Sequence, residues 1–188
     1  MEISGGIARG MVLEVPRGLD VRPTSIRARR ALFDSLGDFS GKRICDLFAG
    51  SGALGLEAVS RGAESLLSVE EAAPSIAVIR KNVANMVRRS GIEPENIRIL
   101  QGKLPDCIRN VAGTPSPDII FADPPYARSM ELAASLLSNE DFLAWSEDAL
   151  LIWELPESRT LITSLPGGRE IRDIKKFGAI RFMFIGKK

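Results

Sequence analysis

The 188-residue sequence contains no histidine. That single absence excludes Ser-His-Asp and Cys-His arrangements, HExxH metal sites and imidazole general bases. The two cysteines, Cys45 and Cys107, form no CxxC pair, so neither a disulfide framework nor a zinc site is indicated. No apolar run approaches the roughly 18 residues that span a bilayer. The first residues, Met1-Glu2-Ile3-Ser4-Gly5-Gly6, lack a basic segment followed by an apolar one. Neither metal nor membrane is expected, and the cytoplasm is the default compartment. Aromatic residues are few, with a single tyrosine, Tyr126.

The charge that is present is unevenly spread. The formal net charge is +1, yet residues 1–30 carry six Arg against three acids, and residues 169–188 carry seven Lys or Arg against two. Residues 131–160 reverse the bias, with seven acids against one Arg. Basic ends around an acidic middle suit a phosphate-binding surface on a near-neutral protein, and suit ordinary solvated charge equally well.

Length and periodicity predict one domain over 1–188: an N-terminal extension over 1–23, then an α/β, Rossmann-like core over 24–188. Residues 2–4 and 11–15 read as a β-hairpin with a glycine-rich, basic tip. Thr24 or Ser25 caps a helix to about Leu36, with Ala28, Ala31, Leu32 and Leu36 on its apolar side. Strands then alternate with helices. Strands are expected at 43–47, 65–69, 96–100, 118–122 and 149–154. Helices are expected at 52–61, from Pro74 to Gly91, and at 103–111, 130–137 and 142–145. Residues 170–177 and 180–185 read as a closing β-hairpin. Such alternation implies a mostly parallel sheet with helices on both faces, and ligands beyond the carboxyl ends of its strands.

Two stretches sit at that edge. The first is Asp46-Leu47-Phe48-Ala49-Gly50-Ser51-Gly52-Ala53-Leu54-Gly55, a GxGxxG turn between a strand and a helix, with Glu70 twenty residues after Gly50. The spacing suits any ligand with a ribose, the acid taking its hydroxyls, and so leaves a dinucleotide open. Asp46 favours S-adenosylmethionine. That donor carries an ammonium and a sulfonium but no pyrophosphate, and an acid beside its charged end has a use. An NAD enzyme would also need a substrate domain for which no length remains.

The second stretch is Asp123-Pro124-Pro125-Tyr126. Two prolines fix two φ angles and remove two backbone donors, leaving the Asp123 carboxylate and a backbone carbonyl as acceptors. An exocyclic base amine offers two N–H groups to match them. Accepting both hydrogens draws the nitrogen out of plane and exposes its lone pair. Tyr126 can stack on the base, a contact worth about 1–3 kcal/mol. Methyl transfer from a sulfonium is an in-line displacement for which alignment alone supplies roughly 7–11 kcal/mol, so the missing histidine is no obstacle. Pro105-Asp106-Cys107 is not the Pro-Cys pair of thiol-dependent cytosine methylation.

Taken together these residues closely resemble the bacterial 16S ribosomal RNA guanine-N2 methyltransferases. The likeness runs through Gly5-Gly6, Arg9-Gly10, Arg22-Pro23-Thr24, Arg27, Arg29 and Leu32-Phe33. It continues through the 46–58 stretch, Ser60-Arg61-Gly62-Ala63, Val69-Glu70, Asp123 to Tyr126 and Ile152-Trp153-Glu154. The resemblance implies a class I methyltransferase fold, S-adenosylmethionine as donor, and guanine N2 in 16S RNA, assembled or partly assembled into the 30S subunit, as acceptor. It assigns the donor to Thr24, Asp46, Phe48, Ala49, Gly50, Ser51, Gly52 and Glu70, catalysis to Asp123, Pro124, Pro125 and Tyr126, and RNA to Arg9, Arg22, Arg27 and Arg29. Four positions depart from the pattern. Ile26 and Arg30 replace acids, Lys103 stands where many such enzymes bind the adenine amine with Asp, and Ala122 replaces a bulkier apolar residue. Alternatives are a DNA adenine-N6 methyltransferase, a non-catalytic ribosome-assembly factor that keeps the fold to bind RNA, and, weakest, an NAD oxidoreductase.

Overall fold

The computed structural model describes residues 1–16, 26–155 and 165–188. Thr24 and Arg22, assigned above to donor and RNA, lie outside the described residues. Seven strands form one sheet: β1 (Arg43–Leu47), β2 (Ser65–Glu70), β3 (Ile97–Gln101), β4 (Ile119–Ala122), β5 (Leu150–Leu155), β6 (Arg169–Phe177) and β7 (Ile180–Lys187). Six helices accompany them: α1 (Ile26–Leu36), α2 (Ala53–Ser60), α3 (Ala73–Ser90), α4 (Ile108–Ala112), α5 (Ser129–Leu137) and α6 (Glu140–Trp145). No helix among the described residues is long and apolar enough to cross a membrane.

The sheet order is β3-β2-β1-β4-β5-β7-β6. The first five strands are parallel, and β7 runs antiparallel to both neighbours. Both faces are covered, which is why the parallel strands are almost continuously apolar. Ile44, Leu66, Phe121 and Ile152 point into a core shared with α1, α2 and α3. Their neighbours Cys45, Leu67, Ile120 and Trp153 point into the other core, under α4, α5 and α6. Order reverses at β1, which lies between β2 and β4, so the crevice beyond the ends of β1 and β4 is the topological switch point.

Most expected elements are present, with three instructive differences. Residues 1–13 are held by one antiparallel bridge, Glu2 to Val12, rather than a full hairpin. Ile3 N–H and Leu13 N–H still cross to Met11 O and Met1 O, at 2.9 and 2.7 Å, while the tip bonds to the end of α2: Ile7 N–H donates to Ser60 O at 2.7 Å, and Ala8 N–H to Ser60 Oγ at 2.9 Å. Helix α4 starts only at Ile108, after a turn over 104–107. The buried stripe of α1 is Ala28, Arg29, Leu32 and Phe33, rotated from the apolar side expected. Phe33 turns it, packing its ring 5.1 Å from Phe39 and 5.2 Å from Phe121. At the sheet's far edge, β6 carries a register irregularity between Ile171 and Asp173.

Candidate active site

Leu47 pairs with Ala122 in the β1–β4 ladder, so the next residues, Phe48 and Asp123, leave adjacent parallel strands side by side. Beyond them opens a cleft of about 650 Å³, a size suited to a nucleoside-like ligand. One side is lined by Phe48, Glu70, Glu71, Ala72 and Gly102, the other by Asp123, Pro124, Pro125, Tyr126 and Arg128. Val69, Ser75, Leu104 and Leu132 complete it. Phe48 of the first stretch and all four residues of the second therefore face one space.

The glycine turn is tight for identifiable reasons. Phe48, Gly50 and Gly52 all have positive φ, at 63°, 56° and 79°. Phe48 is the only non-glycine among the described residues to do so, a conformation that costs on the order of 1–3 kcal/mol. Trp153 holds its ring edge-on at 6.2 Å. Gly55 has another duty: a Cβ there would lie 2.6 Å from Leu66, so the residue lets α2 close onto β2. Gly52→Val should lower stability by about 1–2 kcal/mol through its left-handed backbone. It should weaken donor binding as well, and melting curves paired with donor titrations separate the two losses.

Asp46 is not where the sequence reading put it. The side chain is buried, does not line the cleft, and accepts from Gly55 N–H at 2.9 Å. Burial pushes its carboxyl from 3.8 up to about 7, against the opposing pull of that hydrogen bond. Asp46 thus fastens α2 to β1 rather than presenting charge to a ligand. The folded protein keeps this proton where the unfolded chain has lost it, so its contribution to stability falls as pH rises from 3.8 to about 7 and then levels off. Asp46→Asn keeps an acceptor without the proton, and should flatten the difference in urea midpoint between about pH 5 and about pH 8. An undiminished difference would assign the slope to other groups.

Glu70 lines the cleft at the end of β2. Its two oxygens also accept from Gly50 N–H and Ala72 N–H, both at 2.8 Å, which braces the turn. Each oxygen has a second lone pair for a ligand. Ala49, Gly50, Ser51 and Gly52 shape the turn without lining the cleft. Buried Asn82 on α3 escaped the sequence reading. It donates to Ser51 O at 2.9 Å and to Glu14 O at 3.0 Å, and accepts from Glu14 N–H, joining turn and N-terminal segment. Only its place on the inner face of an amphipathic helix hinted at it.

The acceptor turn is anchored from β5. Tyr126 Oη donates to Glu154 Oε1 at 2.9 Å, and Trp153 Nε1 donates to Ser129 Oγ at 2.9 Å, where α5 begins. Glu154 is buried, so the tyrosine ring is held from below the cleft while over a third of it stays exposed. The pair joins residues 28 apart, and sequence showed Glu154 only as part of a likeness.

The basic residues divide. Arg9 and Arg27 are exposed. Arg29, assigned above to RNA, is fully buried. It pairs with Glu57 at 3.3 Å, donates to Glu2 O, and is unavailable to a phosphate. Burial pulls its guanidinium down from the usual arginine value, opposed by Glu57. Lys103 is exposed beside Gly102 and is not among the cleft-lining residues. No group of three or more Cys, Asp or Glu among the described residues could hold a metal.

A sheet of this order, a glycine turn after β1, an acid ending β2 and a proline-locked turn after β4 define the class I methyltransferase fold. The hypothetical protein TTHA0928 of Thermus thermophilus has this fold at TM-score 0.73 and 28% identity, covering 100% of this chain and 99% of its own. SMU.776, solved with SAH, shares it at TM-score 0.64 and 18% identity over 86% of this chain and 50% of its own. The chain belongs to the family described as Conserved hypothetical protein 95, whose model matches residues 1–186, and with it to the ribosomal RNA small subunit methyltransferase D family. The Escherichia coli K12 protein of that name is 33% identical over 184 residues, which is 97% of this chain and 87% of the relative.

Proposed function

We propose that this chain transfers a methyl group from S-adenosylmethionine to the exocyclic N2 amine of a guanine in 16S ribosomal RNA. The observation that carries the reading is the emergence of Phe48 and Asp123 from paired residues of β1 and β4 onto one cleft. The cleft suits the donor in size, in its acid at the ribose position and in its apolar lining. Glu70 would hold the ribose, and the backbone turn from Phe48 to Gly52 would pass close to the methionine end. The bound donor supplies an electrophilic methyl on a sulfonium.

The chain's own residues then do the positioning. Asp123 and a backbone carbonyl of the turn accept the two amine hydrogens, which aims the nitrogen lone pair at the methyl. Pro124 and Pro125 keep those acceptors from swinging away. Tyr126, tethered through Glu154, offers its ring to one face of the base. The surplus proton leaves the nitrogen after transfer, so no strong base is needed. A guanine stacked in RNA has to flip out to reach this depth. Arg9 and Arg27, with Arg22, suit phosphate contacts that position RNA without reading sequence.

Isotopically labelled donor, offered with free 16S RNA, assembled 30S particles or DNA, tests the reading. Digestion should yield labelled N2-methylguanine from RNA, with the particle the expected substrate. Labelled N6-methyladenine would overturn the assignment of the base, and label in DNA that of the nucleic acid. No label in any substrate would favour a binding factor that retains the fold.

A further inference from the structure

We infer that Arg128, carried just beyond the acceptor turn, covers the purine ring of the methyl donor, so that one loop grips both reactants. The inference rests on the reading of this cleft as the donor site. The sheet order sets the donor's direction. The glycine turn follows β1, Glu70 ends β2, and Gly102 follows β3, in spatial order β3-β2-β1. A donor with its reactive end between Phe48 and Asp123 and its ribose at Glu70 therefore extends its base toward the end of β3. There Gly102 and Leu104 line the cleft, and Ala72 after β2 and Leu132 of α5 add to its apolar lining. An apolar slot accepts a flat ring but does not by itself distinguish a purine from another flat group.

Arg128 lines that same cleft from the β4 side. Its side chain is fixed by Glu131 through two bonds, Nε to Oε2 at 3.3 Å and Nη2 to Oε1 at 2.9 Å. A forked pairing of this kind uses the edge of the guanidinium and leaves its faces for stacking. Carboxylates on the opposite loops, Glu71 after β2 and Asp106 after β3, add to the attraction that holds its charge, behind the larger effect of Glu131. Lys103 acts on Glu131 in the same way, after Arg128 itself. Recognition of the base then rests on a cation over its face rather than on an acceptor of its amine.

Calorimetric titration with S-adenosylhomocysteine and with 5′-methylthioadenosine, which keeps the base and ribose but no amino-acid tail, tests this. Arg128→Ala should weaken both ligands by a similar factor, roughly tenfold. Arg128→Lys keeps the charge but loses the plane, and should weaken both nearly as much. Wild-type affinity in Arg128→Ala overturns the inference, and so does full recovery by Arg128→Lys. Loss confined to S-adenosylhomocysteine also overturns it, by placing Arg128 at the amino-acid tail. If the wild-type protein binds neither compound, the donor site itself is refuted and the inference falls with it. Arg128 is half exposed and its paired carboxylate is on the surface, so the variant should melt like the wild type.

Discussion

Asp123→Ala should fold, bind the donor as tightly as the wild type, and transfer methyl groups roughly a hundredfold to a thousandfold more slowly. The residue lies at the end of β4, only partly buried, and the strand's apolar packing ends at Ala122. Removing the carboxylate therefore costs the core little. In the proposed mechanism, what is lost is one of two fixed acceptors, and with it the geometry that turns an amine conjugated to its ring into a nucleophile. The loss should fall on kcat rather than on the donor's Kd, because the interaction matures as the amine pyramidalises. Single-turnover kinetics with saturating donor and RNA are the measurement. Turnover within a few-fold of wild type would remove Asp123 from the chemistry.

The second large effect is on stability. Glu57, fully buried on α2, accepts from Ser4 N–H at 2.8 Å, Ser4 Oγ at 2.7 Å, Arg61 Nε at 2.9 Å and Arg29 Nε at 3.3 Å. Three parts of the chain, the N-terminal segment, α1 and α2, meet on one carboxylate. Glu57→Ala leaves Arg29 buried without its counter-charge, and breaking such a pair costs about 3–5 kcal/mol. Equilibrium urea unfolding should show that loss. Glu57→Gln keeps one acceptor and should fall between. A change below about 1 kcal/mol would show that the N-terminal segment and Arg29 relax into water instead.

How much of this was legible beforehand follows from the range of the interactions. β1 was read to the residue because its apolar run is bounded by Lys42-Arg43 and by the glycine turn, all local marks. Pro74 and Gly91 bracketed α3 by the same local chemistry, and the structure puts Pro74 in its first turn and Gly91 at its C-cap with φ 68°. The glycine turn and the proline-locked turn were visible because each is contiguous. Arg29 was misread because its partner lies 28 residues away, and a charged residue in an arginine-rich stretch looks solvated until that partner is located. Asp46 was misread for a related reason. Spacing put an acid near the ligand, but the direction of its side chain is set by which face of β1 α2 covers. Glu154, Asn82 and Arg128 owe their places to contacts between elements, which no local pattern encodes.

The irregularity in β6 bears on how the protein behaves at high concentration. An outermost strand offers a row of unsatisfied amides and carbonyls to any neighbouring chain, and flat edges of that kind seed fibrous association. Here the edge is bent between Ile171 and Asp173 and carries exposed Glu170, Arg172, Asp173 and Lys176. A second molecule adding in register would have to follow the kink and bring like charges together. The opposite edge, β3, carries exposed Arg98 and Gln101. Both margins of the sheet therefore resist extension by a further strand, and colloidal solubility is built into the strands farthest from the cleft.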